Sequence, residues 1–392
     1  MKDRINREVI NNLSCYCREI NMPNFQIALV IKSGSMSEEA EQSGIAHCLE
    51  HMNLLWDKHK QDKYFYGHGY TNYFETVYIL NCRICDYERA IQIIDNIISG
   101  VYINQASLDE AKTDVIKEIN ETCNNDFEIY KYLFDNELLM KKIPVGKAAD
   151  VCGLSLEKIR RFYLDNYVRS NMVICIVSPL QIAKYVNTLK KYFKSALDKE
   201  FILLNKSCLQ TNKCILTLEK HNAGYEVLLY KHINLDKWLP DEFRTGYDFF
   251  LDILRKKLFD CLSLDYEIMG ITCSLKKFYQ EKRILKIRIV LKDECTNILD
   301  MVPKVLCSEV ETCQINSIKS QYGEYIKNKK IFLKHEDFIK ECIDEVLGVE
   351  KVTSIDAERQ IVNGLLDLSE QEIKDYLQKM FSDISIVRIN NL

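Results

Sequence analysis

The stretch that most constrains this chain is Ser43-Gly44-Ile45-Ala46-His47-Cys48-Leu49-Glu50-His51-Met52. Within it His47, Glu50 and His51 form the pattern H-x-x-E-H. On a helix each residue advances about 100°, so His47 and His51 lie about 40° apart and one turn from each other. Two imidazoles so placed can share one metal ion at about 2.0–2.1 Å each. Glu50 sits to one side, where it can face a water instead of the metal. Ile45, Leu49 and Met52 fall on the opposite face, giving the helix an apolar back and a polar front. The alternative is a surface helix with an incidental Glu–His contact. Seven histidines in 392 residues make a chance H-x-x-E-H rare.

The rest of the chain must supply a fold around that helix. Its length suits two or three domains. With 47% hydrophobic and 28% charged residues, a sizeable core can be buried. A net charge of −4 gives no reason to expect nucleic acid or an anionic membrane as partner. No apolar run approaches the ~20 residues of a membrane span, and the charged N-terminus is followed by no secretory apolar core. The expectation is a cytoplasmic protein. Sixteen scattered cysteines fit that compartment, behaving as small buried hydrophobes as in Val173-Ile174-Cys175-Ile176-Val177. Cys82-Arg83-Ile84-Cys85 matches C-x-x-C but has no second pair at metal-site spacing, and no metal or redox role is read into it.

Taken in order, Phe25–Ile31 reads as a buried strand broken by Ser33-Gly34-Ser35, with an acidic loop from Ser37 to Gln42 leading into the histidine helix. Gly67-His68-Gly69 precedes a strand over Thr76–Leu80, and its glycines mark a bend or a close backbone approach. Such an edge could accept an extended peptide as an added strand; an ordinary hairpin is the other reading. Asp86–Val101 has helical periodicity. A capping box, Ser107 to Glu110, predicts the start of a further helix carrying Val115, Ile116 and Glu118. A catalytic zinc site usually has three protein ligands and one open position. Two histidines therefore need a carboxylate from another element. Glu118 is the best placed in this half, with Asp114 and Glu121 as competitors on the same side. Ser155–Asn166 and Gln181–Phe193 read as helices and Met172–Val177 as a buried strand. Residues 199–212 lack periodicity and are expected to link domains of residues 1–198 and 213–392. The second half repeats the mixture: strands at Cys214–Leu218, Tyr225–Tyr230, Tyr266–Cys273, Ile284–Leu291 and Ile384–Ile389, a long helix over Asp241–Leu262, and further helices between Cys295 and Met380. Its histidines, His221, His232 and His335, are isolated.

These residues resemble the pitrilysin/insulinase family of zinc metallopeptidases, in which H-x-x-E-H is the inverted zinc motif. Gly44–Met52 matches the family's G-x-A-H-x-L-E-H-M. Val115-Ile116-Lys117-Glu118-Ile119 is similar to its V-I-x-E-I, whose glutamate is the third zinc ligand. Tyr167-Val168-Arg169-Ser170-Asn171-Met172 resembles its Y-x-x-x-N-M. The matches spread over roughly residues 25–178. The resemblance implies an α+β fold of two duplicated domains, each a mainly antiparallel sheet packed by helices, together forming half of a clamshell. It implies a catalytic first domain, an inactive second one, and one Zn²⁺ per chain held by His47, His51 and Glu118. It also implies pairing with a second copy or a related subunit to enclose unstructured peptides. His68 and Gly69 would lie along the bound peptide, and Tyr266 would reach it from the second domain.

Three positions depart from the family pattern. His68 stands where an asparagine is usual. Ala111 replaces a glutamate that orients a zinc ligand, a loss that can weaken metal affinity. Phe259 occupies the place of a substrate-facing arginine, with Arg255 and Lys257 as substitutes at best. The reading that results is a zinc endopeptidase with Glu50 as general base, suited to removing a leader from a ribosomally made peptide or clearing peptides generally. The competing reading is a catalytically weak peptide-binding subunit that supports an active partner. A purely structural zinc site fits less well, because three N/O ligands leave a position open.

Overall fold

Six strands build the first sheet: β1 (Ile5–Ile10), β2 (Leu13–Glu19), β3 (Asn24–Ile31), β4 (Phe65–Thr71), β5 (Thr76–Arg83) and β6 (Met172–Ser178). Their order is β1-β2-β6-β3-β5-β4. All neighbours are antiparallel except β2 and β6. The chain is described here from a computed structural model, over residues 5–20, 23–39, 41–58, 63–121, 125–134, 139, 141–194, 197, 213–221, 224–279, 282–327, 338–347, 355–382 and 385–390.

Strands β3, β5 and β6 are buried on both faces. That is why they read as continuous apolar runs instead of alternating ones. Phe25, Ile27, Leu29 and Ile31 enter the core with α1 (Ile45–Lys58), α2 (Tyr87–Ile98) and α3 (Gln105–Glu121). Ala28, Val30, Val173 and Cys175 are buried on the alternate face. The helix Phe338–Val346 packs on β2, β3 and β6.

Some local features differ from the sequence reading. The β1–β2 hairpin was not expected; its turn is Asn11-Asn12, both in the left-handed region at φ 50° and 62°. Asparagine tolerates that region, and two such residues in succession suit a tight hairpin. Helix α3 starts at Gln105, two residues before the proposed cap Ser107. Asn104 Oδ1 takes the Ser107 N–H at 3.0 Å, so Asn104 caps the helix and Ser107 lies inside it.

The second unit repeats the order of elements. It has β7 (Lys213–His221), β8 (Gly224–Asn234), α4 (Asp248–Leu262), β9 (Ile268–Tyr279), β10 (Lys282–Leu291), α5 (Ile298–Cys307), α6 (Thr312–Lys327) and β11 (Ser385–Asn390). The sheet order is β11-β7-β8-β10-β9, again with one parallel pair, β11 with β7. The expected long helix over Asp241–Leu262 is broken: a 3-10 segment spans Asp241–Gly246 before α4 begins. Both units are thus mainly antiparallel sheets packed by helices, as the fold class required.

Each compact unit includes a segment from the other half of the chain. One unit comprises Met1–Phe127, Glu137–Lys206 and Glu336–Leu347; the other comprises Glu128–Asn136, Ser207–His335 and Gly348–Leu392. Tyr130 and Phe134 accordingly pack on Phe278 at ring distances of 5.7 and 4.7 Å. The linker expected at 199–212, and His335, lie outside the described residues. Among the described residues no helix is long and apolar enough to cross a membrane.

Candidate metal centre

Helix α1 places its apolar residues as its period requires. Ile45, Cys48, Leu49 and Met52 are fully buried in the first core, and His47, Glu50 and His51 take the other side. The two imidazoles meet edge to face, with Nε2 of His51 3.1 Å from Nε2 of His47. Helix α3 packs against α1 and buries Leu108, Ala111 and Val115. Glu118 is thereby carried to the histidines. Its Oε2 lies 3.5 Å from His47 Nε2 and 3.4 Å from His51 Nε2.

These three separations test whether zinc fits. Donors at corners of a tetrahedron with bonds of 2.0–2.1 Å stand about 3.3–3.4 Å apart. Separations of 3.1, 3.4 and 3.5 Å straddle that value. Two neutral imidazoles and a carboxylate are also a donor set that zinc accepts. Glu50 groups with the two histidines as well but sits farther off, 3.9 Å from His47 Nε2. Geometry therefore favours Glu118 as third ligand and leaves Glu50 beside the site.

Electrostatics separates the two carboxylates in the same way. Hydrogen bonds from His47 and then His51 hold the Glu118 carboxyl well below the usual carboxylate range. Burial pushes Glu50 up, against the pull of both histidines and the Thr71 hydroxyl. Glu50 is only 4% exposed and accepts from Thr71 Oγ1 at 3.3 Å. Burial draws the His47 imidazolium down, but Glu118, Glu50 and the Val145 carbonyl outweigh it, and the net shift is upward.

Strand β4 runs past Glu50 because it has no side chain there. A Cβ on Gly69 would stand 2.7 Å from Glu50 Oε1 and 2.9 Å from the Val77 carbonyl oxygen. His68, next to it, projects to the opposite face of the strand. Gly69 thus adjoins the site and the His68 side chain does not. Tyr266 lies in the second unit, buried in its core. Phe259 is 46% exposed on α4. Of the two proposed substitutes, Arg255 lines the same cleft as Phe259 and pairs with Asp252 at 3.0 Å, whereas Lys257 is buried, its Nζ donating to the carbonyls of Leu306 and Ser308. In the C-x-x-C pair Cys82 is buried, and the exposed Cys85 Sγ faces Asp86 at 3.5 Å.

Several supports escaped the sequence reading. Ala111 is buried in the core and offers no carboxylate. The Val145 carbonyl lies 3.2 Å from His47 Nδ1. With Nδ1 donating there, Nε2 presents its lone pair to the site. Val145 can approach because Gly146 and Gly44 touch backbone to backbone, both at positive φ (87° and 96°). A Cβ on Gly146 would stand 2.6 Å from the Gly44 Cα. Glu38 lies buried at the start of α1 and accepts from the N–H groups of Gly44 and Ala46 at 3.2 Å. Lys142 Nζ donates to the Glu38 carbonyl. Asn53 Nδ2 donates to the Tyr78 hydroxyl at 3.0 Å, and Tyr78 bonds Tyr167 at 2.5 Å, tying α1 to β5. The acidic loop and the Val145-Gly146 pair were visible signals, but nothing local says what they touch.

Comparisons with known proteins fall where this geometry points. The profile described as "Insulinase (Peptidase family M16)" matches residues 20–136, and "Peptidase M16 inactive domain" matches residues 153–315. The chain belongs to the insulinase family, peptidase family M16. It is 22% identical over 401 residues to a zinc protease PQQL-like of Arabidopsis thaliana, covering 94% of this chain but 40% of that protein. It is 20% identical over 189 residues to the mitochondrial-processing peptidase subunit beta of Saccharomyces cerevisiae, covering 44% of this chain and 40% of that one. The chain thus spans less than half the length of these relatives. Among solved structures, the first half of the periplasmic protease PqqL from Escherichia coli superposes with a TM-score of 0.80 at 14% identity, over 99% of this chain and 92% of that one. A protease from Helicobacter pylori gives 0.72 at 14% identity, over 98% and 99%.

Proposed function

We propose that the chain is a zinc metalloendopeptidase that cleaves extended peptides. The observation that carries this is the triangle of His47 Nε2, His51 Nε2 and Glu118 Oε2 with a fourth, buried carboxylate, Glu50, beside it. Zinc held by those three residues would polarise the scissile carbonyl and supply a water that ionises near neutral pH. Glu50 accepts the water proton at its carboxylate and later delivers it to the leaving amine nitrogen. Val145 holds the His47 ring in one tautomer, and the close passage of β4 at Gly69 keeps the substrate main chain near Glu50. A substrate pairing with this edge strand must itself be extended, which favours unstructured peptides over folded proteins.

Removal of a leader from a longer peptide is the role we favour, since relatives bear names such as stromal processing peptidase and mitochondrial-processing peptidase. The intact PqqL of Escherichia coli is matched over 48% of its length by all of this chain. We infer that a second copy or a related subunit supplies the remaining half. The buried thiols of Cys15, Cys17 and Cys175 support a reducing, cytoplasmic setting.

The test is elemental analysis of the purified protein beside a mass-spectrometric digest of an unstructured peptide mixture. One zinc per chain and cleavage that vanishes in Glu50→Gln are expected. Full zinc content in His51→Ala would sink the ligand assignment.

A further inference from the structure

In the second unit β8 turns Val227, Leu229 and Ile233 into the core, so Leu228, Tyr230 and His232 line its other face. The helix Asn125–Phe134 meets that face. Its Phe134 ring lies edge to face with His232 at 5.6 Å and stacks on Phe278 of β9 at 4.7 Å. Ile129, Tyr130, Leu133 and Phe134 are buried, while Tyr132 is exposed. His232 is 7% exposed, and its Nε2 has no hydrogen-bond partner among the described residues. A neutral imidazole can present a bare ring nitrogen there. An imidazolium has two N–H donors and a charge to satisfy, and burial without partners penalises it.

The charges around His232 are of one sign. Lys231 adjoins it on β8, Lys282 lies on β10 and Lys237 on the helix Leu235–Trp238. Lys213 starts β7 beside Cys214, the partner of Lys231. Ile284 stands opposite His232, and Lys276 of β9 stands opposite Ile284 in the same row. Tyr230, two residues back on β8, holds Lys286 over its ring at 5.1 Å. Asp236, on the short helix with Lys237, is engaged by Arg244 at 2.7 Å. The described side chains of the covering helix, Ile129, Tyr130, Tyr132, Leu133 and Phe134, carry no charge. We propose that His232 is a proton-operated latch: neutral, it lets the helix Asn125–Phe134 dock on the second sheet, and on protonation it releases that helix before the rest of the unit opens. Burial, followed by Lys282, Lys231 and Lys237, pushes the imidazole from 6.5 down to about 4. The docked state thus binds this proton more weakly than the released state. Its stabilisation is full above about pH 6.5 and is lost as pH falls toward about 4. The helix follows α3, which carries Glu118, after three residues, so the latch governs the chain that runs on from a proposed metal ligand. This inference is independent of the peptidase reading.

The test is hydrogen–deuterium exchange of the full chain at pH 7 and pH 5, read by mass spectrometry on peptides covering residues 129–134 and corrected for the intrinsic exchange rate at each pH. Peptides from α4 serve as the internal reference for opening of the whole unit. In wild type the opening of residues 129–134 should rise about twentyfold from pH 7 to pH 5 relative to α4. In His232→Phe, which keeps an apolar ring against Phe134 and has nothing to protonate, the rise should vanish. His232→Gln, neutral at both pH values, gives the same reading should the phenylalanine variant fail to fold. Zinc loss at pH 5 affects wild type and variants alike and so cannot mimic the difference between them. A wild-type segment whose exchange follows α4, or a rise that persists in the variants, would overturn the inference. So would tighter protection at pH 5, the result expected if the imidazolium were held by attraction to the Phe134 ring.

Discussion

Helices α1 and α4 occupy the same place in the two units, yet only α1 carries chemistry. Each lies against the edge strand of its sheet and a later helix: α1 with β4 and α3, α4 with β9 and α6. In the first unit the surfaces so assembled present His47, Glu50, His51 and Glu118. The corresponding cleft of the second unit is lined by Arg255, Phe259 and Asp260 of α4, by Gly270 of β9, and by Ile318 and Gln321 of α6. Phe259 and Arg255 line this cleft, whereas the first unit presents imidazoles, and among the described residues no carboxylate of α6 lines it. The architecture builds a groove between helix and edge strand in both units. A handful of side chains decides whether the groove can hold a metal. Entry into the helix differs as well: α1 starts on the buried Glu38 carboxyl group, whereas the N-cap residue of α4, Tyr247, makes no side-chain capping hydrogen bond.

The sharpest test of the contrast is Glu50→Gln against Phe259→Ala. Glu50→Gln should lower kcat by at least about 10²- to 10⁴-fold with zinc retained. Phe259→Ala should leave both zinc content and thermal midpoint near wild type, because an exposed side chain contributes little to stability. Metal loss on Phe259→Ala would show that the two clefts are not independent.

A glycine pair gives the next largest contrast. Gly69→Ala should displace Glu50 by forcing a methyl group into its carboxylate, with kcat falling about 10²-fold. Gly270→Ala, in the other cleft, meets nothing within 4 Å and should be silent. Steady-state kinetics on both variants decides the matter; equal effects would erase the distinction drawn between the strands.

The helix cap should show as stability. Glu38→Ala orphans buried N–H groups at the start of α1 and should cost about 1–3 kcal/mol by chemical denaturation. Glu38→Gln keeps an acceptor oxygen and should cost less. The smallest effect concerns pH. Burial raises the Glu38 carboxyl from 4.5 to about 8, against the backbone N–H groups of Ala46 and Gly44. The folded state then binds this proton more tightly than the unfolded state. The resulting stabilisation is full below about pH 4 and is lost as pH rises through about 8. Denaturation midpoints at pH 6 and pH 9 should therefore differ more in wild type than in Glu38→Gln. Parallel behaviour of the two proteins would remove Glu38 as the source.

Much of the fold was legible because its signals are local. Strands buried on both faces announce themselves as apolar runs, as β3 and β6 do, and the α1 stripe follows from helical period. What was lost is also local in cause. The Asn11-Asn12 turn is a short signal within a polar N-terminus. The true start of α3 turns on which of two nearby polar side chains wins the N–H of Ser107, and Asn104 does. The helices that join the opposite unit, Phe338–Val346 among them, carry no mark in the sequence of where they will pack.

By itself the sequence determined the donor set: His47 and His51 share a helix face because a helix turns every 3.6 residues, and Glu50 must stand beside them. Resemblance to a family extended that to Glu118. Only the tertiary structure decided how far apart those donors stand, since packing of α3 on α1 sets the distances to Glu118. Only it revealed that a backbone carbonyl, that of Val145, partners His47. A carbonyl has no residue-type signature, and its partner lies 98 positions away. Side chains declare their chemistry in sequence, whereas backbone groups acquire theirs only from where the fold puts them.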